Sequence, residues 1–260
     1  MEPEPMTGLE ELMDASWPAA EREESGGWVL RAAFGVTQRA NSIWPREPGA
    51  DHRAQLDALR HARLWYRTRR LPVIFQLFED PDSAPLHTVL DAEGFTRQSE
   101  TLVLVRNGGE LSPGFEDGVD ISTAPTLEWL RLWWSVDGRG DDEALTVARG
   151  ILEGCPSLYA LVRDDDGVPA AVGRLAIPPG GGRGGLYCMA TRPDARRRGY
   201  AARILQGLLR EGDARGLAGY WLQVTAANAG ARELYARSGF HVAARYLYRQ
   251  ERPKRHHTGC

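Results

Sequence analysis

Lysine is nearly absent from this chain of 260 residues. Lys254 is the only one, so 31 of the 32 basic residues are arginines. Arginine suits phosphate and base recognition, but 35 acids and a sequence pI near 6.1 leave no basic surplus for a polyanion. GC-rich codon usage explains the bias better, and no nucleic-acid partner is expected. Cysteine is scarce as well. Cys155, Cys188 and Cys260 are odd in number and lack metal-type spacing, which argues against a disulfide framework and a zinc site; no metal is expected. No run of about 18 apolar residues occurs, so no membrane partner is expected either. Met1-Glu2-Pro3-Glu4-Pro5 is acidic, without the apolar core of a secretory leader, and a cytoplasmic location is the default expectation.

What the chain does contain is itself, twice. Leu86 to Phe95 and Ala231 to Phe240 both read as a short helix closed by Gly-Phe, at an offset of 145 residues. Glycine just past a helix end takes the left-handed conformation at little steric cost. Each copy follows an apolar strand pattern, Leu71 to Leu77 and Gly219 to Val224. Each precedes another, Thr101 to Val105 and Arg245 to Tyr248. Upstream lie helical patterns over 53–69 and 200–215. Earlier still come strands over 28–33 and 38–44 in the first half, and over 158–163 and 169–177 in the second. The breaker-rich Asn107 to Gly114 separates the halves. The expected organisation is two related α+β domains: 1–106, a linker over 107–117, 118–250, and a mobile tail over 251–260 whose His256-His257 is solvated. Thr7-Gly8-Leu9-Glu10 fits a capping box for an N-terminal helix.

Chemistry concentrates in the second half. A strand ends near Thr191, Pro193-Asp194 turns the chain, and Arg196-Arg197-Arg198-Gly199-Tyr200-Ala201 opens a helix whose apolar stripe includes Ala201, Ile204, Leu205, Leu208 and Leu209. A glycine and a small residue at a helix start let unpaired amides approach a bulky anion, and the helix dipole favours its charge. Further on, Asn228 sits where a strand gives way to a helix, so it reads either as an N-cap or as a ligand-holding residue. Tyr235 reads either as a core tyrosine with a satisfied hydroxyl or as a proton donor.

Together and in this order, the two segments resemble the GNAT superfamily of N-acetyltransferases. Arg196 to Ala201 matches its Arg/Gln-x-x-Gly-x-Gly/Ala pyrophosphate motif, and Asn228, Leu234-Tyr235 and Gly239-Phe240 match its later signature. The motif agreement covers 186–240, the strand pattern extends it to about 118–250, and 1–106 matches only in outline. The resemblance implies a tandem GNAT, each domain a mixed, mostly antiparallel central sheet flanked by helices. It implies acetyl-CoA as acyl donor, with its pyrophosphate on the amides from Arg197 to Ala202 beside Arg196, and its pantetheine along Met189, Ala190 and Thr191. It further implies that an amide such as that of Met189 polarises the thioester, that Asn228 holds the donor, and that Tyr235 protonates the departing thiolate. The strand glutamate of many relatives is missing at Leu186, Tyr187 and Cys188, so the general base stays unassigned. Cys188 reads as a small buried thiol rather than an acyl carrier.

At the corresponding places the first half has Trp44 to Asp51, Ser83 and Leu90, with two prolines and two acids where the anion would lie. One donor site is therefore expected. The acceptor is a small-molecule or peptide amine. The expected loop from Val136 to Glu143, with four acids, suits a cationic amine or is simply solvated. Two halves in one chain can act as an intramolecular pseudo-dimer, a monomer with an acceptor groove between them. Two other functions compete. A non-catalytic acyl-CoA sensor or scaffold sits poorly with Tyr235, and an aminoacyl transferase using charged tRNA sits poorly with an intact pyrophosphate motif.

Overall fold

The computed structural model describes residues 8–109 and 118–252. The elements in chain order are α1 (Leu9–Ser16), β1 (Glu21–Ser25), β2 (Trp28–Ala32), β3 (Trp44–Pro45), α2 (His52–Thr68), β4 (Ile74–Phe78), α3 (Ala84–Ala92) and β5 (Thr96–Asn107). There follow β6 (Val119–Ser122), α4 (Leu127–Asp137), α5 (Asp142–Glu153), β7 (Ser157–Arg163), β8 (Pro169–Ala176), β9 (Arg183–Thr191), α6 (Tyr200–Ala214), β10 (Gly219–Thr225), α7 (Ala229–Arg237) and β11 (His241–Gln250). Among the described residues no helix is long and apolar enough to cross a membrane.

Two compact units form. One gathers the described residues up to Pro18 with Leu102–Ala243; the other gathers Ala19–Thr101 with the described residues from Ala244 on. This division differs from the expected domains 1–106 and 118–250 at both ends. Helix α1 belongs with the later unit, where Leu12 lies over Gly181, Pro18 over Gly154, and Trp17 packs on Tyr187 at 5.4 Å. The last strand belongs with the earlier unit, because β11 pairs antiparallel with β4 from Tyr246↔Phe78 to Gln250↔Ile74. Glu251, expected in the tail, is held there too: its amide donates to Val73 O at 3.0 Å and its carboxylate pairs with Arg63 at 2.7 Å. Most of the expected linker (110–117), Thr7 of the expected capping box and the tail from 253 lie outside the described residues. Gly8 is the N-cap of α1, at φ 82 and with no side-chain cap.

In the later unit the strands run β5-β10-β9-β8-β7-β6, antiparallel from β6 to β9 and parallel between β9 and β10. Leucines and small residues of the sheet form one core with Ile204, Leu205, Leu208 and Leu209 of α6. The helix lies close because Gly173 of β8 has no side chain: a Cβ there would come within 2.5 Å of Ile204 and 2.6 Å of the Met189 sulfur. Filling it overpacks the core at a cost of about 1–3 kcal/mol. In the earlier unit β1, β2 and β3 form an antiparallel sheet, β4 pairs with β11, and a second core gathers Trp28, Leu30, Ile43, Leu59, Tyr66, Phe75, Leu86 and Leu90.

The strand expected over 38–44 is instead a 3-10 turn at Arg39–Asn41 followed by the two-residue β3. The Asn41 side chain accepts from the amides of Ala33 and Gly35 and donates to the carbonyls of Val36 and Thr37, fastening a loop where a ladder was expected. The acidic loop over 136–143 also contracts, because Asp137 ends α4 and α5 begins at Asp142. Asp141 caps α5 by accepting from Ala144 N at 3.1 Å, and Asp142 and Glu143 occupy its first turn, where the dipole favours acids. Helix formation thus accounts for three of the four acids.

Candidate active site

The site is built where β9 and β10 part. Their parallel register runs from Arg183↔Gly219 to Leu186↔Leu222 and stops there, although β10 continues to Thr225 and β9 to Thr191. On its other side β9 stays paired with β8, but through a bulge: Arg174 faces Tyr187 and Val172 faces Ala190, so Gly173 alone spans Cys188 and Met189. Cys188 takes φ 55 to absorb the extra residue. A one-residue slip reverses the faces, which brings the Met189 side chain round to the α6 side. Trp129 Nε1 donates to both Ala160 O at 3.0 Å and Gly173 O at 3.2 Å. Arg192 N donates to Ala170 O at 2.9 Å, and strand alternation then turns the amides of Met189 and Thr191 away from β8, toward the parted edge.

Past Thr191 the loop is fastened before it reaches the helix. Arg192 pairs with Asp164 at 2.7 Å and Asp194 at 2.6 Å and donates to Pro169 O at 2.9 Å, tying the β9 end to the β7–β8 turn. Sequence reasoning passed over Arg192; its signal was the facing Asp164-Asp165-Asp166-Gly167 turn. Arg196 Nε donates to Thr191 O at 3.4 Å and Arg198 pairs with Asp165 at 3.0 Å. Arg197 and Gly199 have positive φ of 65 and 83, and Gly199 is the N-cap of α6, with no side-chain cap. The first amides of the helix, at Tyr200, Ala201 and Ala202, therefore have neither an intrahelical acceptor nor a capping side chain. Arg196 to Gly199 are exposed, while the Tyr200 ring is buried beneath them. Unpaired amides at the positive end of a helix, with arginines around them, have the chemistry that suits an anion.

Asn228 caps α7, its Oδ1 accepting from Ala231 N at 3.1 Å; its exposed amide nitrogen donates to none of the described residues. Both readings of this residue remain compatible. Tyr235 is 6% exposed, edge-on to Phe240 at 6.0 Å, within the α6 core. Burial pushes its hydroxyl pKa up to about 12, so it stays protonated, yet it makes no hydrogen bond among the described residues. A core tyrosine normally finds a partner for its hydroxyl; this one keeps its proton available. On β9 no carboxylate stands at Leu186, Tyr187, Cys188 or Met189. The Tyr187 hydroxyl accepts from Trp221 Nε1 at 3.2 Å. Neither Cys155 nor Cys188 is in a disulfide; Cys155 is buried, whereas Cys188, expected to be buried, is half-buried.

A parted pair of parallel strands, a bulge on one of them and an uncapped glycine turn beyond it characterise this unit. Known proteins share the fold. The family model described as "Probable histone acetyltransferase Rv0428c C-terminal" matches residues 6–249. The chain is 25% identical over 250 residues to the uncharacterized N-acetyltransferase YobR of Bacillus subtilis, covering 94% of this chain and 98% of that protein. Among solved structures, a GCN5-related N-acetyltransferase from Kribbella flavida superposes with a TM-score of 0.70 at 20% identity, over 97% of both chains. A tandem GNAT protein from the clavulanic acid biosynthesis pathway gives 0.65 at 12% identity, over 95% of this chain and 88% of that one. These two likenesses show the fold. The chain belongs to the matched family, within the GNAT N-acetyltransferases.

Proposed function

We propose that the second half moves an acetyl group from acetyl-CoA to a primary amine borne by a small molecule or a peptide. What supports this reading is a pair of unused groups in one unit, the uncapped N-terminus of α6 and the unbonded hydroxyl of Tyr235. Acetyl-CoA supplies a pyrophosphate and an activated thioester. The amides from Arg197 to Ala202 bind the former, with Arg196 alongside. Met189 and Thr191, with Ala190 between them, offer an edge on which the pantetheine amides pair as an added strand, and Asn228 holds it from the β10 side. The Met189 amide polarises the thioester carbonyl as the amine attacks. The C–N bond forms, the C–S bond breaks, and Tyr235 protonates the sulfur, a transfer worth about 10²–10⁴-fold. With no carboxylate on β9 near the thioester, the amine proton passes to water. One site per chain, without a second copy, completes the proposal.

The experiment is CoA-thiol release by the full chain with a panel of amines. Release that depends on the amine is expected. CoA binding with no release from any amine overturns acetyl transfer in favour of a sensor.

A further inference from the structure

Three arginines are at most 3% exposed: Arg31, Arg174 and Arg249. Two of them have side-chain acceptors, although the Arg249 Nε–H is without a partner. Arg249 pairs with Asp91 and donates to His87 Nδ1 and Phe95 O. Arg31 reaches Ser42 O at 2.9 Å, Ser42 Oγ at 3.0 Å and Gln76 Oε1 at 2.8 Å. Arg174, with no exposed surface, donates to two main-chain carbonyls, Ser16 O at 3.0 Å and Leu152 O at 2.9 Å, and lies against the Tyr159 hydroxyl. No carboxylate pairs with it among the described residues, and its Nε–H has no acceptor. The guanidinium lies between the rings of Trp17 and Tyr187, 5.8 and 5.6 Å from their centres. Beside it the Ser16 hydroxyl is buried against the Cys155 thiol, a weak hydrogen-bond partner.

A buried cation with no counter-charge is costly, by several kcal/mol even after relaxation. Two carbonyls at helix C-termini offset part of that. What the place still lacks is an acceptor for the Nε–H of a buried positive charge. A small anion answers both needs, and a carboxylate fits the flat donor edge of a guanidinium. The position matters as much as the chemistry. Gly173 faces α6, so Arg174, next along β8, points from the opposite face, and its register partner Tyr187 immediately precedes the Cys188 bulge.

We propose that Arg174 is a specificity-determining residue that binds a carboxylate on the amine acceptor. The proposal rests on the acetyl-transfer reading and narrows it to acceptors that carry both an amine and a carboxylate. Before the acceptor arrives, the end of α1 holds the place: the Arg174 Nη1 bond to Ser16 O exchanges for one to the carboxylate, and the segment Ser16-Trp17 moves aside. The Tyr187 ring keeps the cation favourable in both states.

The test uses matched acceptors on the full chain: β-alanine, 4-aminobutyrate and lysine, each against its amide or methyl ester. The readout is the ratio of kcat/KM within each pair, which a general loss of folded protein leaves unchanged. The wild type is expected to favour the free carboxylate by ~10²-fold or more, since a buried donor left unpaired penalises the analogue. In Arg174→Gln the ratio falls to near one, and Arg174→Lys lies between. A wild-type ratio near one, or a ratio unchanged in Arg174→Gln, overturns the proposal. Calorimetry with the same amino acids and with inorganic phosphate, on protein loaded with CoA, reads binding without turnover. Saturable carboxylate binding lost in Arg174→Gln supports the carboxylate subsite even if no acetyl transfer occurs. Binding of phosphate alone, or of nothing, overturns it and leaves water as the occupant. Failure of every amine, ester and amide to release CoA thiol, by contrast, counts against acetyl transfer.

Discussion

Helices α2 and α6 hold the same place in the two halves, and they begin in opposite ways. Asp51 caps α2 with its own carboxylate, accepting from Ala54 N at 2.6 Å, and the Gln55 side chain fastens the preceding turn through Pro48 O and Gly49 O. Gly199 opens α6 with no side chain at all. The strand before α2 is the two residues of β3, whereas β9 has nine. Where β9 and β10 part, the first half closes: Ile43 bridges Phe75, and Gln76 donates its amide to Ile43 O while its side chain accepts from Arg31. Leu90, fully buried, replaces Tyr235, and Ser83 bonds Asp80 and caps nothing. In the first half these groups are satisfied by its own atoms, around a core of its own.

The largest expected effect follows from the tyrosine. Tyr235→Phe keeps the ring against Phe240 and removes only an unbonded hydroxyl, so stability should hold while kcat falls about 10²-fold or more with CoA affinity unchanged. Leu90→Tyr, the reciprocal change, should confer no second activity. Steady-state rates and calorimetry on both variants read this directly, and normal turnover in Tyr235→Phe would make water the acid.

Next comes the helix start. Gly199→Asp places at α6 the carboxylate that α2 already has. A Cβ at Gly199 meets nothing within 4 Å, so packing is untouched and the penalty comes from its φ of 83 and from charge. CoA binding should weaken by about 1–3 kcal/mol, and the wild type should bind one CoA per chain. Equal affinity in the variant, or two CoA per wild-type chain, breaks the contrast between the halves.

A smaller effect is expected on the other side. Asp51→Ala removes the α2 cap and should lower stability by about 1 kcal/mol in denaturant unfolding, with CoA affinity and stoichiometry unchanged. A gain of CoA binding would show that the aspartate alone was excluding the donor.

How much of this could be read beforehand divides along physical lines. Glycine turns, helix stripes and apolar strands are local, so the helix start at Arg196 to Ala201, the Asn228 cap and the Gly-Phe closures stood in the sequence. The exchange of α1 and β11 between the units did not, because short-range pattern carries no record of which sheet a terminal strand joins. Glu21–Ser25 hid as a strand because its residues are polar and largely exposed. The loop around Asn41 was misread because one side chain replaced four ladder bonds. Arg174 had a signal that went unused, a lone charge in the otherwise uncharged strand Pro169–Ala176. Nothing local revealed that α1 would return to cover it.

The smallest effect is one of pH, and it belongs to the earlier unit, which β11 joins. His87 Nδ1 lies 3.0 Å from Arg249 Nη1, which can only donate; the ring therefore accepts there and carries its proton on Nε2, which donates to Phe78 O at 3.0 Å. Protonation would remove the acceptor and set a second cation against Arg249. Burial lowers the His87 pKa below 6.5; the Phe78 carbonyl opposes that shift, the charges of Arg249 and Arg97 add to it, and Glu79 opposes it more weakly. The unfolded chain thus binds a proton on His87 before the folded one does, so this contribution is complete above about pH 6.5 and is lost as pH falls through the lower folded value. Asp91 acts in the same direction further into acid. Burial alone would raise its carboxyl, but the hydrogen bond from Arg97 and the Arg249 charge bring it below 3.8. Denaturant midpoints should therefore drop between pH 7.5 and 5.5 in the wild type and drop less in His87→Gln, whose amide has no titration in that range. CoA affinity, set by α6, should not follow the His87 step. Equal slopes in the two proteins would remove His87 from the account.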